Sequence, residues 1–534
     1  MEFHIADLFE GVADAVPDRE AIVCADTRLT FAELDERATR LAHALSKAGI
    51  KPGDHIGLYL YNGIEYLEGM LAAFKIRAVP ININFRYVEE ELYYLFDNAD
   101  LVGIIHHREF APRIAAVADR LPKLKTLLAV EDGSDADGAA IGSLNYEQAL
   151  ANASPERDFA PRSAGDSYIV YTGGTTGMPK GVMWRHEDLF FAALMGGNPY
   201  GPPLERPEQV GENAKAGQVL TALPAAPLMH AAAQWATLIY LFSGAKIVLT
   251  PGTGFDADRV WKLVEQEKVQ VMAIVGDAMA RPLADALDKP GVSYDTSSLF
   301  VIGSGGATFS EGVKAQLKKH LPTLMLLDTF GGSEGGNQGR GVEATGSQAG
   351  PRFRADETSA VLDENMQPLP PGTGKIGKLA RKGRIPFGYY KDAEKTAKTF
   401  IEAHGTRWVV AGDMATIEAD GTITLLGRGS NCINSGGEKI FPEEVEAALR
   451  AHPKVFDALV VGVPDERFGE RVAAVVAARE GQTPTLEELG AHCRTHISGY
   501  KIPRELHLVD RIQRQPSGKP DYKWAKAVAL GSTC

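Results

Sequence analysis

Along the first part of the chain, hydrophobic positions switch between a helical period and short unbroken apolar runs. Thr30 and Glu33 have the spacing of a capping box, Phe31, Leu34, Ala38, Leu41, Ala42 and Leu45 recur every three or four residues, and Gly49 supplies a stop. That pattern predicts an amphipathic helix with one face turned to a core. Apolar runs follow at 56–60 (IGLYL), 78–82 (AVPIN), 101–105 (LVGII) and 126–130 (TLLAV), with helical spacing near 64–76 and 88–98 between them. Such runs read as buried strands, and their alternation with helices predicts layered α/β structure around parallel sheet. The rhythm returns at 168–171 (YIVY), 219–223 (VLTAL), 246–250 (KIVLT), 269–275 (VQVMAIV), 299–303 (LFVIG) and 324–330 (LMLLDTF), so two or more sheet subdomains are needed.

Segments 131–143 (EDGSDADGAAIGS) and 153–166 (ASPERDFAPRSAGD) have loop composition without a hydrophobic period and read as surface connections. After 368–383 the chain reads as β-rich, ending in the turn and strand at 421–427 (GTITLLG). From about 430 onward come the helix 442–452, the strands 456–463 and 471–478, the helix 485–496 and the strand 505–510, a complete small α+β domain. The expected organisation is α/β: a large N-terminal domain, 1–428, of layered α/β sheet subdomains plus a β-rich subdomain, and a small α+β C-terminal domain, 429–534.

Composition narrows the function classes. With 534 residues, 44% of them apolar and 23% charged, the chain can bury a large core, which excludes a small stapled scaffold and global disorder. Lysine and arginine number 56 against 69 acidic residues, a net charge of −13 that disfavours nucleic acid and anionic lipid as general partners. Cys24, Cys432, Cys493 and Cys534 stand far apart with no metal-ligand spacing, as in a reduced cytosolic protein. The start, MEFHIADLFEGVADAV, lacks a basic region leading into an apolar stretch, and the apolar run at 235–242 is too short to cross a bilayer. A cytoplasmic, soluble protein without integral membrane association is expected.

The segment richest in chemistry is YTGGTTGMPKG at 171–181. Its backbone N–H groups can wrap polyphosphate, and Thr172, Thr175, Thr176 and Lys180 add donors and positive charge. The Walker A order GxxxxGK[ST] is absent, because Lys180 follows Pro179 and precedes Gly181, which excludes the P-loop NTPase class. The segment resembles the phosphate loop of the acyl-adenylate-forming superfamily, which contains acyl-CoA synthetases, the adenylation domains of nonribosomal peptide synthetases and luciferases. Gly173 stands where a serine is usual, so one hydroxyl is lost while the backbone donors of Gly173, Gly174 and Gly177 remain. Altered ATP affinity, not lost function, is the expectation.

Further segments follow in that family's order, and the resemblance covers nearly the whole chain. PLMH at 227–230 is similar to the motif whose histidine, here His230, lies near the acyl pocket, and GSGGA at 303–307 to the adenine-contacting turn, here Ser304, Gly305, Gly306 and Ala307. FGGSE at 330–334 resembles the motif in which an aromatic ring stacks on adenine, a hydroxyl touches phosphate and a glutamate helps hold Mg²⁺. Phe330, Gly331, Ser333 and Glu334 take those places, with phenylalanine for the usual tyrosine and serine for the usual threonine. Stacking needs the ring face and not the phenol. Thr176 joins Glu334 as an implied metal ligand. Asp413 matches the carboxylate that accepts from both ribose hydroxyls, and Arg428 the nearby ribose and phosphate contact. Lys519, in PSGKP at 516–520, resembles the terminal lysine that stabilises charge on the α-phosphate and the acyl carboxylate. Lys519, Glu334 and His230 are thus the implied catalytic set. Ser430 occupies the hinge position, where Asp or Lys is usual, and implies a mobile C-terminal domain; NSGGEKIFPEEVE at 434–446, with Gly436 and Gly437, resembles the lining of the pantetheine tunnel.

The implied cofactors are ATP, Mg²⁺ and coenzyme A, and the implied partner is a small carboxylic acid. The superfamily also admits a homodimer. Around the implied acyl pocket, Met229, Ala231, Ala232, Ala233, Trp235, Val275, Gly276, Ser304, Gly331 and Gly332 are small or apolar and include no cation. A second carboxylate or an amino group would be left unpaired there, so a hydrophobic monocarboxylic acid is expected, medium to long chain or steroid-like. The hinge sequence GRGS and the stretch from 171 to Trp184 resemble bacterial fatty-acyl-CoA synthetases that include steroid side-chain enzymes. Loading of an acyl-carrier protein and ligation of an aromatic acid to CoA stay open as alternatives. An oxidative, luciferase-like reaction shares the fold alone.

Overall fold

The structure is a computed structural model that describes residues 1–174, 177–199, 201–341, 352–354, 356–435, 438–465, 468–515 and 519–531. The amphipathic pattern after Thr30 becomes the helix Phe31–Lys47. Thr30 Oγ1 accepts from the Glu33 N–H at 3.2 Å, and Glu33 Oε2 accepts from the Thr30 N–H at 2.7 Å. Its buried face packs against the helices Ile5–Ala15 and Ile64–Lys75.

Four of the apolar runs form a parallel sheet in the order Val79–Asn82, His55–Tyr59, Leu101–His107 and Thr126–Val130, with Leu144–Asn145 at its edge. A second parallel array runs Glu20–Cys24, Lys246–Leu249, Thr221–Pro224, Val271–Ile274, Val301–Gly305 and Met325–Gly332. From its last strand the pairing turns antiparallel, through Gly336–Gly341 and Arg352–Arg354 to Thr422–Arg428 and Asp413–Ile417. The β-rich region therefore continues the second sheet. It also holds the helix Ala393–Thr399, which the sequence pattern does not anticipate.

The run at 168–171 departs from the expected rhythm. Ser167–Gly174 pairs antiparallel with Gly177–Arg185, which pairs with Gly388–Tyr389 in a separate three-stranded sheet. Successive strands separated by so few residues can close only as a hairpin, because a parallel crossover needs about a dozen or more.

Segment 153–166 is irregular, but charge holds it in place. Arg157 pairs with Asp35 at 2.7 Å and Asp14 at 2.8 Å, and Arg162 with Asp7 and Glu10. Beneath it Lys75, 1% exposed, donates to Glu10 at 2.5 Å and Asp35 at 2.8 Å. Nearby, His4 and His186 stack at 4.0 Å, and His186 Nδ1 accepts from the Ile5 N–H at 3.2 Å.

Burial pushes His186 down to about 4 and His107 likewise to about 4. In the unfolded chain an imidazole protonates near about 6.5, so between that pH and 4 the unfolded state binds more protons and stability falls as pH drops. The expected loss by pH 4.5 is roughly 2–3 kcal/mol per histidine. A melting temperature that stays flat from pH 7.5 to 4.5 would contradict this.

At the C-terminal end the strands Val455–Asp465 and Gly469–Ala478 form a long hairpin. The helices Pro442–Arg450 and Leu486–Arg494 cover one face through Val445, Leu449, Leu489 and Cys493. The helix Tyr522–Ala529 covers the other through Ala525 and Ala529. Among the described residues no helix is long and apolar enough to cross a membrane.

Candidate functional site

The parallel strands Thr221–Pro224, Val271–Ile274, Val301–Gly305 and Met325–Gly332 run in one direction, and open α/β sheets bind ligands beyond the carboxyl ends of their strands. Residues just past those ends line a cleft of about 2390 Å³ that reaches the C-terminal sheet. Its walls include His230, Trp235, Val275, the turn Ser304 to Ala307, and Phe330 through Glu334.

Thr172 and Lys180 face each other across the glycine-rich hairpin and line the cleft, and Gly174 lies opposite Gly177 where Gly173 precedes the closure. Thr175 and Thr176 lie outside the described residues, as do Gly436 and Gly437. Lys180 Nζ stands 3.9 Å from Asp392 Oδ2 and 5.9 Å from the Tyr389 ring centre. Asn82, at the end of a buried strand, ties the hairpin to the loop before His230. Its amide donates to the Tyr171 carbonyl at 2.8 Å and the Met229 carbonyl at 2.7 Å, and its Oδ1 accepts from the Tyr171 N–H at 2.7 Å.

His230 is the N-cap residue of the helix Ala231–Phe242, whose Ala231, Ala232, Ala236, Ile239 and Tyr240 border the cleft. Trp235 is a fixed wall. Its indole N–H donates to the Tyr168 hydroxyl at 3.2 Å, that hydroxyl donates to Gln234 at 2.7 Å, and Trp184 meets it edge-on at 6.5 Å.

The Ser304 hydroxyl is engaged by the protein: its oxygen accepts from the Gly276 N–H at 2.9 Å. Gly276 is buried and does not line the cleft. Its φ is +51°, and a Cβ would stand 2.4 Å from the Thr308 carbonyl oxygen, so it serves the turn into the helix Gly276–Asp288. Phe330 stacks on Phe353 with ring centres 4.7 Å apart and planes at 17°. Trp184 Nε1 donates to the Ser333 carbonyl at 2.9 Å, and Arg381 donates to the Gly335 and Asn337 carbonyls, each at 2.5 Å, fixing the turn that carries Glu334. The buried Tyr389 hydroxyl then donates to Glu334 Oε1 at 2.9 Å.

Asp413 and Arg428 are paired neighbours on adjacent strands, Arg428 Nε lying 2.9 Å from Asp413 Oδ1, with Arg428 Nη1 also donating to the Ala411 carbonyl at 2.6 Å. Burial raises the Asp413 carboxyl against the pull of Arg428 and Lys519. Lys519 lines the same cleft from the C-terminal unit. Burial holds its amine below the usual lysine range, opposed by Glu334 and Asp413 and aided by Arg428. Ser430 is exposed in the 3₁₀ turn Gly429–Asn431, which follows directly on the strand Thr422–Arg428.

Residues 9–390 match the family model of the AMP-binding enzyme, and residues 444–519 that of the AMP-binding enzyme C-terminal domain. The chain belongs to the AMP-binding enzyme family. It is 51% identical to the 3-oxocholest-4-en-26-oate–CoA ligase of Rhodococcus rhodochrous, over 98% of this chain and 96% of that protein. It is 50% identical to the medium/long-chain-fatty-acid–CoA/3-oxocholest-4-en-26-oate–CoA ligase of Mycolicibacterium smegmatis, over 99% of this chain and 97% of that protein. Its fold is shared with the anthranilate CoA ligase AuaEII in complex with anthranoyl-AMP, with a TM-score of 0.85 at 21% identity over 99% of this chain and 98% of that one.

In this AMP-binding enzyme the first matched range carries Thr172, Lys180, Glu334 and Tyr389, and the second ends at Lys519. Asp413 and Arg428 lie between them. Sequence reasoning missed Tyr389 and Asn82. Asn82 left a weak trace, a polar residue closing the apolar run AVPIN, whereas nothing in the spacing ties Tyr389 to Glu334 across 55 positions.

Proposed function

We propose that this chain is an ATP-dependent acyl-CoA synthetase. It activates a hydrophobic monocarboxylic acid, a medium- or long-chain fatty acid or a bulky steroid-like acid, as acyl-AMP and passes the acyl group to CoA, releasing AMP and pyrophosphate. The observation that carries this reading is the identity of 51% and 50%, over almost the whole chain, to ligases named for 3-oxocholest-4-en-26-oate and for medium/long-chain fatty acids. The small apolar side chains along the helix Ala231–Phe242 support it, since alanines at 232 and 236 leave width for a ring system.

A carboxylate is a poor electrophile and must first gain a leaving group. In the proposed reaction its oxygen attacks the α-phosphorus of ATP in line and pyrophosphate departs, with catalysis by positioning and charge neutralisation. Phe330 offers a ring face to adenine, Asp413 accepts from the ribose hydroxyls, and Arg428 and Lys519 face the α-phosphate. Thr172, Thr175, Thr176 and Lys180 hold the remaining phosphates. Oxygen donors from Glu334 and Thr176 suit Mg²⁺, a hard cation that keeps water and nucleotide oxygens as its other ligands. When bound it neutralises phosphate charge; the protein's part is to orient Glu334, which the Tyr389 hydroxyl does. Rotation of residues 429–534 about Ser430 would then withdraw Lys519 and bring the segment 434–446 to the pantetheine arm, whose thiol displaces AMP.

Tyr389→Phe should slow acyl-AMP formation about tenfold, the order expected for losing one hydrogen bond to a charged group. Half-maximal activity should need more Mg²⁺. Pyrophosphate release titrated with Mg²⁺ measures both, and an unaltered titration would detach Tyr389 from Glu334's task.

The function is tested by incubating the protein with ATP, Mg²⁺, CoA and a panel of short, long, aromatic and steroid-like acids, with thioesters identified by mass spectrometry. Acyl-CoA from long-chain or steroid-like acids with matching AMP is expected. Faster use of acetate than octanoate would refute the substrate class, and AMP-dependent intermediates without a CoA thioester would favour a carrier-protein acceptor.

A further inference from the structure

A second concentration of buried charge lies where the helix Pro442–Arg450 meets the end of the strand Thr422–Arg428. Glu443, in the first turn of that helix, sends its carboxyl across the boundary. Oε1 accepts from the Arg428 N–H at 3.4 Å, while Oε2 is buried and has no hydrogen-bond partner among the described residues. Gly427 is the surface on which the carboxyl rests: at φ +115°, a Cβ there would stand 2.1 Å from Oε2 and 2.7 Å from Oε1. No side chain could replace glycine without displacing the carboxyl.

The groups facing Glu443 are mostly acidic or already engaged. Glu446 approaches from its own helix and Asp413 from the neighbouring strand. Tyr522, from the last helix, faces both Glu443 and Glu446. Of the cations, Arg428 is paired with Asp413, Arg450 with Glu446 and Asp457, and Arg514 with Asp457. Lys519 acts on Asp413. Burial, and after it Glu446, hold the Glu443 carboxyl up at about 8.

We propose that Glu443 is a positioning residue that seats the C-terminal unit on Gly427 and Arg428 in the adenylate-forming arrangement, and that its exposure to water when the unit swings away couples the swing to release of one proton. This rests on the two-arrangement reading given above. In the seat the carboxyl is neutral near pH 7, whereas in water it ionises near 4.5. The swung arrangement therefore binds fewer protons, and its population relative to the seated one rises with pH, by up to about tenfold per unit, until the seated carboxyl also ionises.

The test measures single-turnover adenylate formation and thioester formation separately, from pH 6 to 9, for the wild type and Glu443→Gln, with Glu443→Ala as a second variant. The ratio of the second rate to the first cancels the amount of folded protein. The CoA thiol adds the same rise with pH to every protein, so the readout is the wild-type ratio divided by that of the variant. It is expected to climb up to about tenfold per unit and level off near pH 8. Profiles that superimpose at all pH values overturn the proposal. Ser430→Pro separates it from its foundation. If that variant keeps the wild-type ratio, the two-arrangement reading fails and the proposal with it; if it depresses thioester formation while the Glu443 profiles superimpose, the seat alone is refuted.

Discussion

Lys519→Ala is expected to cut the rate of acyl-AMP formation by about 10²–10³ while thioester formation from supplied acyl-AMP keeps most of its rate. The amine enters the cleft that holds Glu334, Asp413 and Arg428, and these charges together with burial set its titration. In the first step the carboxylate passes its charge to the α-phosphate oxygens and the departing pyrophosphate, so a preorganised cation beside the α-phosphate lowers that barrier specifically. In the second step AMP leaves, and in the proposed arrangement Lys519 has withdrawn with the C-terminal unit. Pyrophosphate release and single-turnover consumption of synthetic acyl-AMP read the two steps separately. Equal loss in both would show that Lys519 acts by holding the fold or by serving both chemistries.

Lys75→Ala is expected to destabilise the protein by about 3–5 kcal/mol, the usual result of removing one partner from a buried ion pair. Lys75 is fully enclosed and donates to both Glu10 and Asp35, which also receive Arg162 and Arg157 from the irregular segment 153–166. The cluster thereby joins the first helix, Phe31–Lys47, Ile64–Lys75 and a loop with no ladder of its own. Truncation leaves two desolvated carboxylates and a void. Urea denaturation compares the variant with the wild type; a loss below about 1 kcal/mol would mean that the two arginines neutralise the carboxylates by themselves.

The difference between what was legible and what was not follows interaction range. The helix after Thr30 could be read because a capping box and a 3.6-residue period act within a few turns, and the parallel strands because burial on both faces demands unbroken apolar runs. The candidate site residues Thr172, Lys180, Glu334, Asp413, Arg428 and Lys519 each sit in a short segment of recognisable order, and all of them border one cleft.

What the sequence determined by itself was therefore local: which stretches are helix or buried strand, which residues are candidates for contact with phosphate, ribose and a carboxylate, and which family the chain belongs to. Only the tertiary structure decided the relations between those stretches. It made the glycine-rich segment a hairpin of its own sheet, bonded the Ser304 hydroxyl to Gly276, set the Tyr389 hydroxyl against Glu334, and laid Glu443 on Gly427. Each of these depends on the free energy of a contact between residues distant in sequence. Such a contact leaves no period or spacing in the chain, because burial, hydrogen bonding and charge act on positions in space and not on order along the backbone.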